Sequence, residues 1–319
     1  MILTVTPNPA IDITWALPAF RFGQTYTVRP IRRQPSGKGV NVSLVLSRVG
    51  VASEAAAMVG TGDLGAYESA LSGTLAKGVL VQVAAATRRN LTLLVDGREG
   101  EMHLREPGAC VSAAEVDAFE AAVWKAAKAA DVVAMAGSLP PGLTLRRAAG
   151  ILARCRDCRT VTVLDGEGPL LAEAAEAADL IKGNLTELGA LCGRGAAWAD
   201  GLMGAEEDAL VKEVSAATAE APCRGVCVTC GRRGAMLRLG AEAWYGRGDP
   251  PGRIVNTCGA GDAFLAGYLW GLAAGDEPPE RLRKALACGM VSCMAEGTAQ
   301  VDARLVERLL PDVTIRPVA

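Results

Sequence analysis

The sequence predicts an α/β protein in which helices cover both faces of a central, mostly parallel sheet, with a second, small β-sheet beside it. After residue 112, strand-like and helical segments alternate regularly, which is typical of a parallel sheet between two helical layers. Two earlier segments, 11–35 and 88–106, have strand patterns without a helical period. We expect these two segments to meet in a small sheet over the mouth of the larger domain.

The N-terminal elements are predicted from side-chain alternation and from residues that interrupt strands. A strand at 2–6 ends at a Pro-Asn-Pro run, because proline cannot continue a central strand. Alternating pieces such as 25–28 predict short strands. A helix is predicted over 40–49, where it follows a Gly-rich turn.

The second β-like stretch, 88–105, contains a turn at Asp96-Gly97, and the pattern changes after it. Ser112 and Glu115 have the spacing of a capping box, in which each side chain satisfies a free amide at a helix start. The alternation beyond this helix predicts strands at 132–136, 161–164 and 180–182 and helices at about 145–155, 260–274 and 280–296.

Composition excludes several classes of protein. Half of the 319 residues are hydrophobic and 21% are charged, so we expect a packed globular core rather than disorder. The formal net charge of −2 provides no basic footprint for nucleic acid. No run approaches the roughly 20 apolar residues of a membrane span, and the N-terminus lacks a secretion signal pattern. We therefore expect a cytoplasmic protein that binds neither nucleic acid nor membrane.

The ten cysteines are scattered, and several lie in apolar segments. Cys155 and Cys158 form one candidate metal cluster, and the three cysteines within 223–230 form another. Structural zinc requires four ligands in paired spacings, and His103 is the single histidine. We expect reduced thiols that serve as small core residues, and a structural role for His103.

The segment Gly259-Ala260-Gly261-Asp262 places three small residues before an acid, at the start of a helical pattern. Small residues let the backbone approach a ligand, and the first amides of a helix suit a phosphate. A carboxylate beside such an anion site can accept the proton of an attacking hydroxyl group. Taken alone, the segment is equally consistent with an ordinary helix start, and no Gly-Lys-Ser/Thr follows as in a Walker-type loop.

A second Gly-rich element, Gly37-Lys38-Gly39, also precedes a helical pattern. A lysine between two glycines can direct its ammonium group at an anion that the backbone also approaches. By itself the element is better explained as a tight turn with a solvated lysine.

Five segments, taken together and in order, resemble the signatures of the PfkB carbohydrate kinases, within the ribokinase-like superfamily. They span nearly the whole chain, which makes the combined signal far more specific than any single segment. The segments are TVTPNPAID at 4–12, GKGVNV at 37–42, AGSLPPG at 136–142, KGNLTEL at 182–188 and TCGAGD at 257–262.

The resemblance implies a ribokinase-like three-layer α/β/α fold with a β lid, in a single kinase domain over 1–319. It also implies ATP as phosphate donor and Mg²⁺ as cofactor. Asp262 would be the catalytic base, and the amides of 259–261 would form an anion hole. The lid would be formed by about 11–35 and 88–106, and the core by 1–10, 36–87 and 107–319.

On the ATP side, the resemblance implies that Asn184 and Glu187 organise Mg²⁺ through water. The residues implied to lie along ATP are Lys182, Asn184, Thr229, Gly231 and Gly234. The residues implied to hold the sugar are Asp12, Gly37, Lys38, Asn41, Asn90 and Ser138.

Arg88, in a Thr-Arg-Arg-Asn pattern, is implied to pair with a phosphate that the substrate already carries, because its planar guanidinium matches phosphate geometry. The alternative for Arg88 is a solvated charge on the lid surface. The Gly-Lys-Gly motif resembles the 1-phosphofructokinase and tagatose-6-phosphate kinase branch. The favoured reaction is therefore fructose 1-phosphate to fructose 1,6-bisphosphate, and the first alternative is phosphorylation of tagatose 6-phosphate.

Further alternatives remain. Ala263-Phe264 resembles ribokinases, which favours a plain sugar or nucleoside kinase, and a 6-phosphofructokinase is a further candidate. A protein of another class would be a catalytically silent sugar-phosphate sensor. Some superfamily members use potassium near the anion hole, and its neighbourhood here would be Asn256 and 295–298. The resemblance also implies a homodimer that forms through the lid.

Overall fold

The structure is a computed structural model that describes residues 1–28, 30–95, 101–157 and 160–318. Within these ranges the chain forms a ten-stranded sheet and a four-stranded sheet. The strands are β1 (Ile2–Thr6), β2 (Ala10–Leu17), β3 (Pro30–Ser36), β4 (Ser53–Gly60), β5 (Ala76–Val83), β6 (Arg88–Val95), β7 (Glu101–Arg105), β8 (Val132–Ala136), β9 (Val161–Asp165), β10 (Leu180–Asn184), β11 (Gly225–Thr229), β12 (Ala235–Leu239), β13 (Glu242–Arg247) and β14 (Thr314–Val318). The α-helices are α1 (Lys38–Arg48), α2 (Leu64–Leu71), α3 (Ala113–Ala127), α4 (Leu145–Asp157), α5 (Gly168–Ala174), α6 (Leu185–Leu191), α7 (Ala196–Gly204), α8 (Glu207–Glu220), α9 (Ala260–Ala273), α10 (Pro278–Cys293) and α11 (Ala303–Leu309).

The large sheet has the strand order β14-β13-β12-β11-β10-β9-β8-β1-β4-β5. From β11 to β5 in this order, all neighbouring strands pair in parallel, whereas β12, β13 and β14 pair antiparallel at one edge. Because parallel strands end at the same edge, the last residues of β8, β9, β10 and β11 form one row. Open α/β sheets bind ligands beyond this edge.

The small sheet has the order β3-β2-β6-β7 and joins the two predicted β-only segments. Strands β2 and β6 pair in parallel at its centre, and β3 and β7 pair antiparallel on either side. Tyr67 of α2 anchors this sheet, since its buried hydroxyl group donates to the carbonyl oxygens of Ala10 at 2.6 Å and Ser36 at 2.7 Å. These contacts fix the start of β2 and the end of β3 over the large sheet.

Two apolar cores lie on opposite faces of the large sheet. On one face α1, α9 and α10 pack through residues such as Phe264, and on the other α3, α4 and α5 pack through residues such as Phe119. Alternate strand residues face opposite sides, so Ala134 of β8 joins the first core and Val133 joins the second. The predicted three-layer α/β fold with a mostly parallel sheet and a second, small sheet is confirmed.

Some of the individual elements match their predictions from the sequence, and others do not. The capping box at Ser112 is present, with both of its hydrogen bonds. Residues 25–28 form no strand, so that prediction is wrong; this stretch is partly or fully exposed, and no strand in the described ranges pairs with it. The first helix begins at Lys38, two residues earlier than predicted. The predicted turn at 96–97 lies outside the described residues. Among the helices that the structure describes, none is long and apolar enough to cross a membrane.

Candidate active site

A cavity of about 720 Å³ lies between the carboxyl edge of the large sheet and the small sheet. Most of the predicted site residues line it, although they come from distant parts of the chain. Among the described residues, Ala260, Gly231 and Gly234 are the predicted site residues outside this lining. The predicted residues that line it are Asp12, Gly37, Lys38, Asn41, Arg88, Asn90, Ser138, Lys182, Asn184, Glu187, Thr229, Gly259, Gly261 and Asp262.

Asp262 lies in the first turn of α9 and is 6% exposed. Asn41 of α1 donates from Nδ2 to its Oδ2 at 2.7 Å, and the hydroxyl group of Ser36 donates to Asn41 Oδ1 at 3.1 Å. This chain of hydrogen bonds fixes the orientation of the carboxylate. Burial raises the pKa of Asp262 from 3.8 to about 6, against the opposing charge of Lys38. A carboxylate with this pKa is ionised at neutral pH and is a stronger base than an exposed aspartate.

The start of α9 fits an anion because its backbone is closely approached from two sides. Gly259 has φ 79°, and a Cβ atom there would lie 2.5 Å from the backbone nitrogen of Ala299. A Cβ atom at Gly261 would lie 2.8 Å from Lys182 Nζ, so glycine is required for the ammonium group to lie against the helix start. The first amides of a helix have no intrahelical partners, and with the ammonium group they provide positive potential for a phosphate.

Asp165, which the sequence analysis did not identify, is the last residue of β9 and is fully buried. It accepts from Lys38 Nζ at 2.9 Å and from Lys182 Nζ at 2.8 Å. Burial alone would raise the pKa of Asp165, but the two lysines hold it below its ordinary value. Burial likewise opposes the charge of Lys38, yet Asp165, Glu187 and Asp262 outweigh it and raise the Lys38 pKa. The sequence feature that could have identified Asp165 is its position, as an acid directly after the predicted strand at 161–164.

The small sheet contributes the opposite wall of the cavity. Asn90 Nδ2 donates to Asp12 Oδ1 at 3.0 Å, which fixes two predicted sugar-binding side chains across β2 and β6. Arg89 forms an ion pair with Asp63 at 3.0 Å, whereas Arg88, on the other face of β6, lines the cavity. Burial lowers the pKa of Arg88, and among the described residues its Nε atom has no hydrogen-bond partner. A half-buried guanidinium with an unused donor fits an anionic group of a ligand.

Asn184 and Glu187 bind each other at the start of α6. The Asn184 amide donates to Glu187 Oε2 at 2.7 Å, and the Glu187 amide donates to Asn184 Oδ1 at 2.9 Å. Burial raises the pKa of Glu187. In the described ranges no group of three or more His, Cys, Asp or Glu side chains could hold a metal alone. One carboxylate beside a phosphate site nevertheless fits Mg²⁺, which keeps several waters and binds through few protein ligands.

Other cavity residues were missed by the sequence analysis. His103, expected to be structural, lines the cavity, and its Nδ1 lies 3.2 Å from the Thr92 hydroxyl oxygen. The structure shows no disulfide bond between the cysteines that it describes, and Cys158 lies outside the described residues. Thr298, from the predicted potassium neighbourhood, also lines the cavity. Further lining residues without a predicted role are Leu91, Arg105, Glu106, Pro107, Gly137, Glu167, Thr257 and Cys258.

A model of the pfkB family of carbohydrate kinases matches residues 8–304. The chain belongs to this family.

Two relatives of this kinase cover nearly all of it. A tagatose-6-phosphate kinase from Staphylococcus epidermidis is 29% identical over 322 residues, covering 99% of each chain. A 1-phosphofructokinase from Rhodobacter capsulatus is 32% identical over 288 residues, covering 90% of this chain and 88% of that one.

Solved structures of phosphofructokinase-2 from Escherichia coli share the fold. The complex with substrates and products has a TM-score of 0.85 at 22% identity and covers 97% of this chain and 98% of its own. The complex with potassium has a TM-score of 0.84 at the same identity and coverage.

The raised pKa of Asp262 predicts that the kinase is less stable when this carboxyl group is ionised. Asp262→Asn should increase the unfolding free energy at pH 8 by about 1–3 kcal/mol. As the pH falls from about 6 towards 3.8, the folded carboxyl group takes up its proton before the unfolded one, so the difference should shrink and vanish below about pH 4. Urea unfolding across this range measures it. The exposed control Asp200→Asn should show no such trend, and a less stable Asp262→Asn protein at pH 8 would contradict the prediction.

Asp165→Asn should lower the unfolding free energy by about 3–5 kcal/mol, because two largely buried ammonium groups lose their shared counter-ion. Adding Lys38→Met should recover part of the loss, since one of the two like charges is then removed. Urea unfolding of the single and double variants measures both effects. A loss below about 1 kcal/mol, typical of exposed ion pairs, would show that Asp165 is not the counter-ion of this site.

Proposed function

We propose that this protein transfers the γ-phosphate of ATP to a phosphorylated ketohexose, with fructose 1-phosphate as the favoured substrate and fructose 1,6-bisphosphate as the product. The observation that carries the proposal is one cavity with a buried base at an anion-binding helix start and a half-buried arginine on the opposite wall. Such a cavity can hold a sugar between two phosphate sites. The relatives named 1-phosphofructokinase and tagatose-6-phosphate kinase support the same class of substrate.

Asp262 would take the proton of the C6 hydroxyl group, and the hydroxyl oxygen would attack the γ-phosphorus in line as the bond to the leaving oxygen of ADP breaks. Asn41 keeps the Asp262 carboxylate oriented for this proton transfer. Asp12 and Asn90 would hold sugar hydroxyl groups, because a carboxylate accepts their protons and an amide both donates and accepts.

The donor phosphates would lie along the end of β10 and β11 and the start of α9. Lys182 and the first amides of α9 would stabilise the negative charge of the transferred group. Thr229, Gly231 and Gly234 would contact the remainder of ATP. Mg²⁺ would bind near Asn184 and Glu187, through water, and would neutralise charge on the phosphate oxygens.

The small sheet would act as a lid, built from about 11–35 and 88–106 on a core of 1–10, 36–87 and 107–319. Lid closure over the sugar would exclude water and limit wasteful hydrolysis of ATP.

These lid segments expose the apolar side chains of Phe22, Ile31 and Leu104, which supports a homodimer formed through the lid. Light scattering after gel filtration should give the mass of a dimer, and a monomer at micromolar concentration would contradict this part of the proposal.

A coupled ATPase assay over phosphorylated and free ketohexoses tests the substrate. We expect turnover of fructose 1-phosphate, with tagatose 6-phosphate as the strongest competitor, and loss of that turnover in Asp262→Asn. Preference for fructose 6-phosphate, or for a free sugar or nucleoside, would favour the other kinases of this family. Absence of turnover with every sugar in the wild type would leave a sugar-phosphate sensor, detectable by binding alone.

Arg88→Ala should lower kcat/KM for the phosphosugar by roughly 10–100-fold, because a charge-assisted contact with its phosphate is lost. Turnover of an unphosphorylated ketohexose should change little. The matched control is Arg146→Ala, which removes an exposed arginine from α4. Equal losses of kcat/KM with phosphorylated and unphosphorylated sugars would show that Arg88 does not bind the substrate's phosphate.

A further inference from the structure

The anion hole at the start of α9 is supported from behind by the turn that follows α10. This turn, residues 293–300, packs directly on Gly259 through the backbone of Ala299. Ala299 has φ 51°, the one described non-glycine residue with a positive φ, and its amide lies 3.4 Å from the Cys258 carbonyl oxygen. Backbone strain of this kind persists only where surrounding contacts hold it. The position of this turn therefore determines the position of the anion-hole amides.

Asn256 joins the two segments through both ends of its side-chain amide, and it is 2% exposed. Its Oδ1 accepts from the Cys258 amide at 2.8 Å, and its Nδ2 donates to the Glu296 carbonyl oxygen at 3.1 Å. The orientation of the amide is unambiguous, since a backbone N–H can only donate and a carbonyl oxygen can only accept. A single neutral carboxamide thus connects the loop before the anion hole to the turn behind it.

Two further carbonyl oxygens of this turn face N–H donors. The Cys293 oxygen accepts from the backbone amides of Val255 and Asn256, at 2.8 and 3.1 Å. The Thr298 oxygen accepts from the side chains of Gln34 and Gln300, at 3.2 and 3.1 Å. The carbonyl oxygens of residues 293, 296 and 298 in this turn therefore already accept hydrogen bonds from nitrogen.

Two arginine side chains also lie against this turn. Arg48 donates to the Ala299 carbonyl oxygen at 2.9 Å and to Gln300 Oε1 at 2.6 Å. The guanidinium of Arg32 lies against Gly297, where a Cβ atom would be 2.7 Å from its central carbon. Potassium binds where several oxygen atoms can replace its hydration shell. A donor set of N–H groups beside two arginines does not fit that ion.

We propose that Asn256 is a positioning residue that holds the anion hole in place through its own amide, so that the kinase works without a monovalent cation. The proposal rests on the proposed function for its kinetic readout only. Asn256 is not among the residues that line the cavity, so its effect should appear in kcat and leave the KM for the sugar phosphate nearly unchanged. Escherichia coli phosphofructokinase-2 has been crystallised with potassium, which makes cation response the natural discriminating measurement.

The first experiment compares the wild-type protein in potassium, sodium and tetramethylammonium chloride at equal ionic strength, with Mg²⁺ and ATP present. We expect kcat to differ by less than about twofold between the three salts, as non-specific ionic effects allow. Stimulation of the wild type by potassium of about fivefold or more over tetramethylammonium would overturn the proposal.

The second experiment uses Asn256→Asp, which keeps the size and the acceptor oxygen but replaces the donor NH₂ with a second anionic oxygen. Two oxygen atoms then face each other at the Glu296 carbonyl group, and a cation can be accommodated between them. In tetramethylammonium we expect kcat to fall by roughly tenfold or more, as for a lost buried hydrogen bond, and potassium to restore most of it. The matched control, Gln82→Glu, makes the same chemical change on the exposed strand β5 and should respond to neither salt.

Thermal unfolding of the same proteins without substrates gives a readout independent of turnover. A ligand that binds only the folded state raises the melting temperature, so potassium should stabilise Asn256→Asp and leave the wild type unchanged relative to tetramethylammonium. If the wild-type protein has no kinase activity but the melting temperatures respond to potassium in this way, the proposed function is refuted and the role proposed for Asn256 is supported. An Asn256→Asp protein that is folded, fully active and indifferent to potassium would refute the role of Asn256 and retain the kinase.

Discussion

The site depends on one buried carboxylate that holds two ammonium groups from separate parts of the chain. Asp165 ends β9 at the centre of the carboxyl edge, with Lys38 of α1 on one side and Lys182 of β10 on the other. A fully buried carboxylate is stable only with such partners, and the lysines in turn need it to remain charged in a largely buried position. The chain can therefore place positive charge at the start of α9 only if β9, β10 and α1 are all correctly packed. The packing of these three elements therefore also determines the charge of the site.

The second dependence is between the anion hole and the small sheet. The turn behind Gly259 is bonded to α1 through Arg48 and to β3 through Gln34. Helix α1 also supplies Asn41, which orients Asp262. A displacement of β3 or α1 would thus reach both Asp262, the proposed base, and the amides of the proposed anion hole. This connection gives a physical route by which closure of the small sheet over a sugar could complete the catalytic geometry.

The sequence predicted the parts of the site that depend on local chain geometry. Glycines that permit close backbone approach and acids at helix starts leave short patterns, so Gly259, Gly261 and Asp262 were identified as candidates. The segment alone was equally consistent with an ordinary helix start, and the resemblance to a family supplied the predicted roles. The parallel sheet was also predictable from the alternation of segments after residue 112. By contrast, Asp165 acquires its role only from two lysines 127 and 17 residues away, and no local pattern encodes that meeting. The same holds for Gln34 and Thr298, which are separated by 264 residues.

Several strands were not predicted from the sequence, for a different reason. Strand β4, with the sequence SEAAAMVG, is buried but rich in alanine, which has low strand propensity, so its pattern does not distinguish a strand from a helix. Strands β12, β13 and β14 extend the large sheet in antiparallel pairs, outside the β/α alternation on which the prediction relied. Tertiary pairing with β1 and β11 decides these segments, and that information is not local.

Asp262, the proposed base, illustrates how the surrounding charges set the basicity of a carboxylate. Burial makes Asp262 a stronger base, and Asp165 acts in the same direction, whereas Lys38 and the hydrogen bond from Asn41 weaken it. Without the cations, the pKa of the Asp262 carboxyl group would be higher still. Without burial, the carboxylate would be ionised but too weak a base to assist the hydroxyl group. The balance leaves the pKa of Asp262 at about 6, below neutral pH and above that of an exposed aspartate, which is the range in which an ionised carboxylate is most effective as a general base.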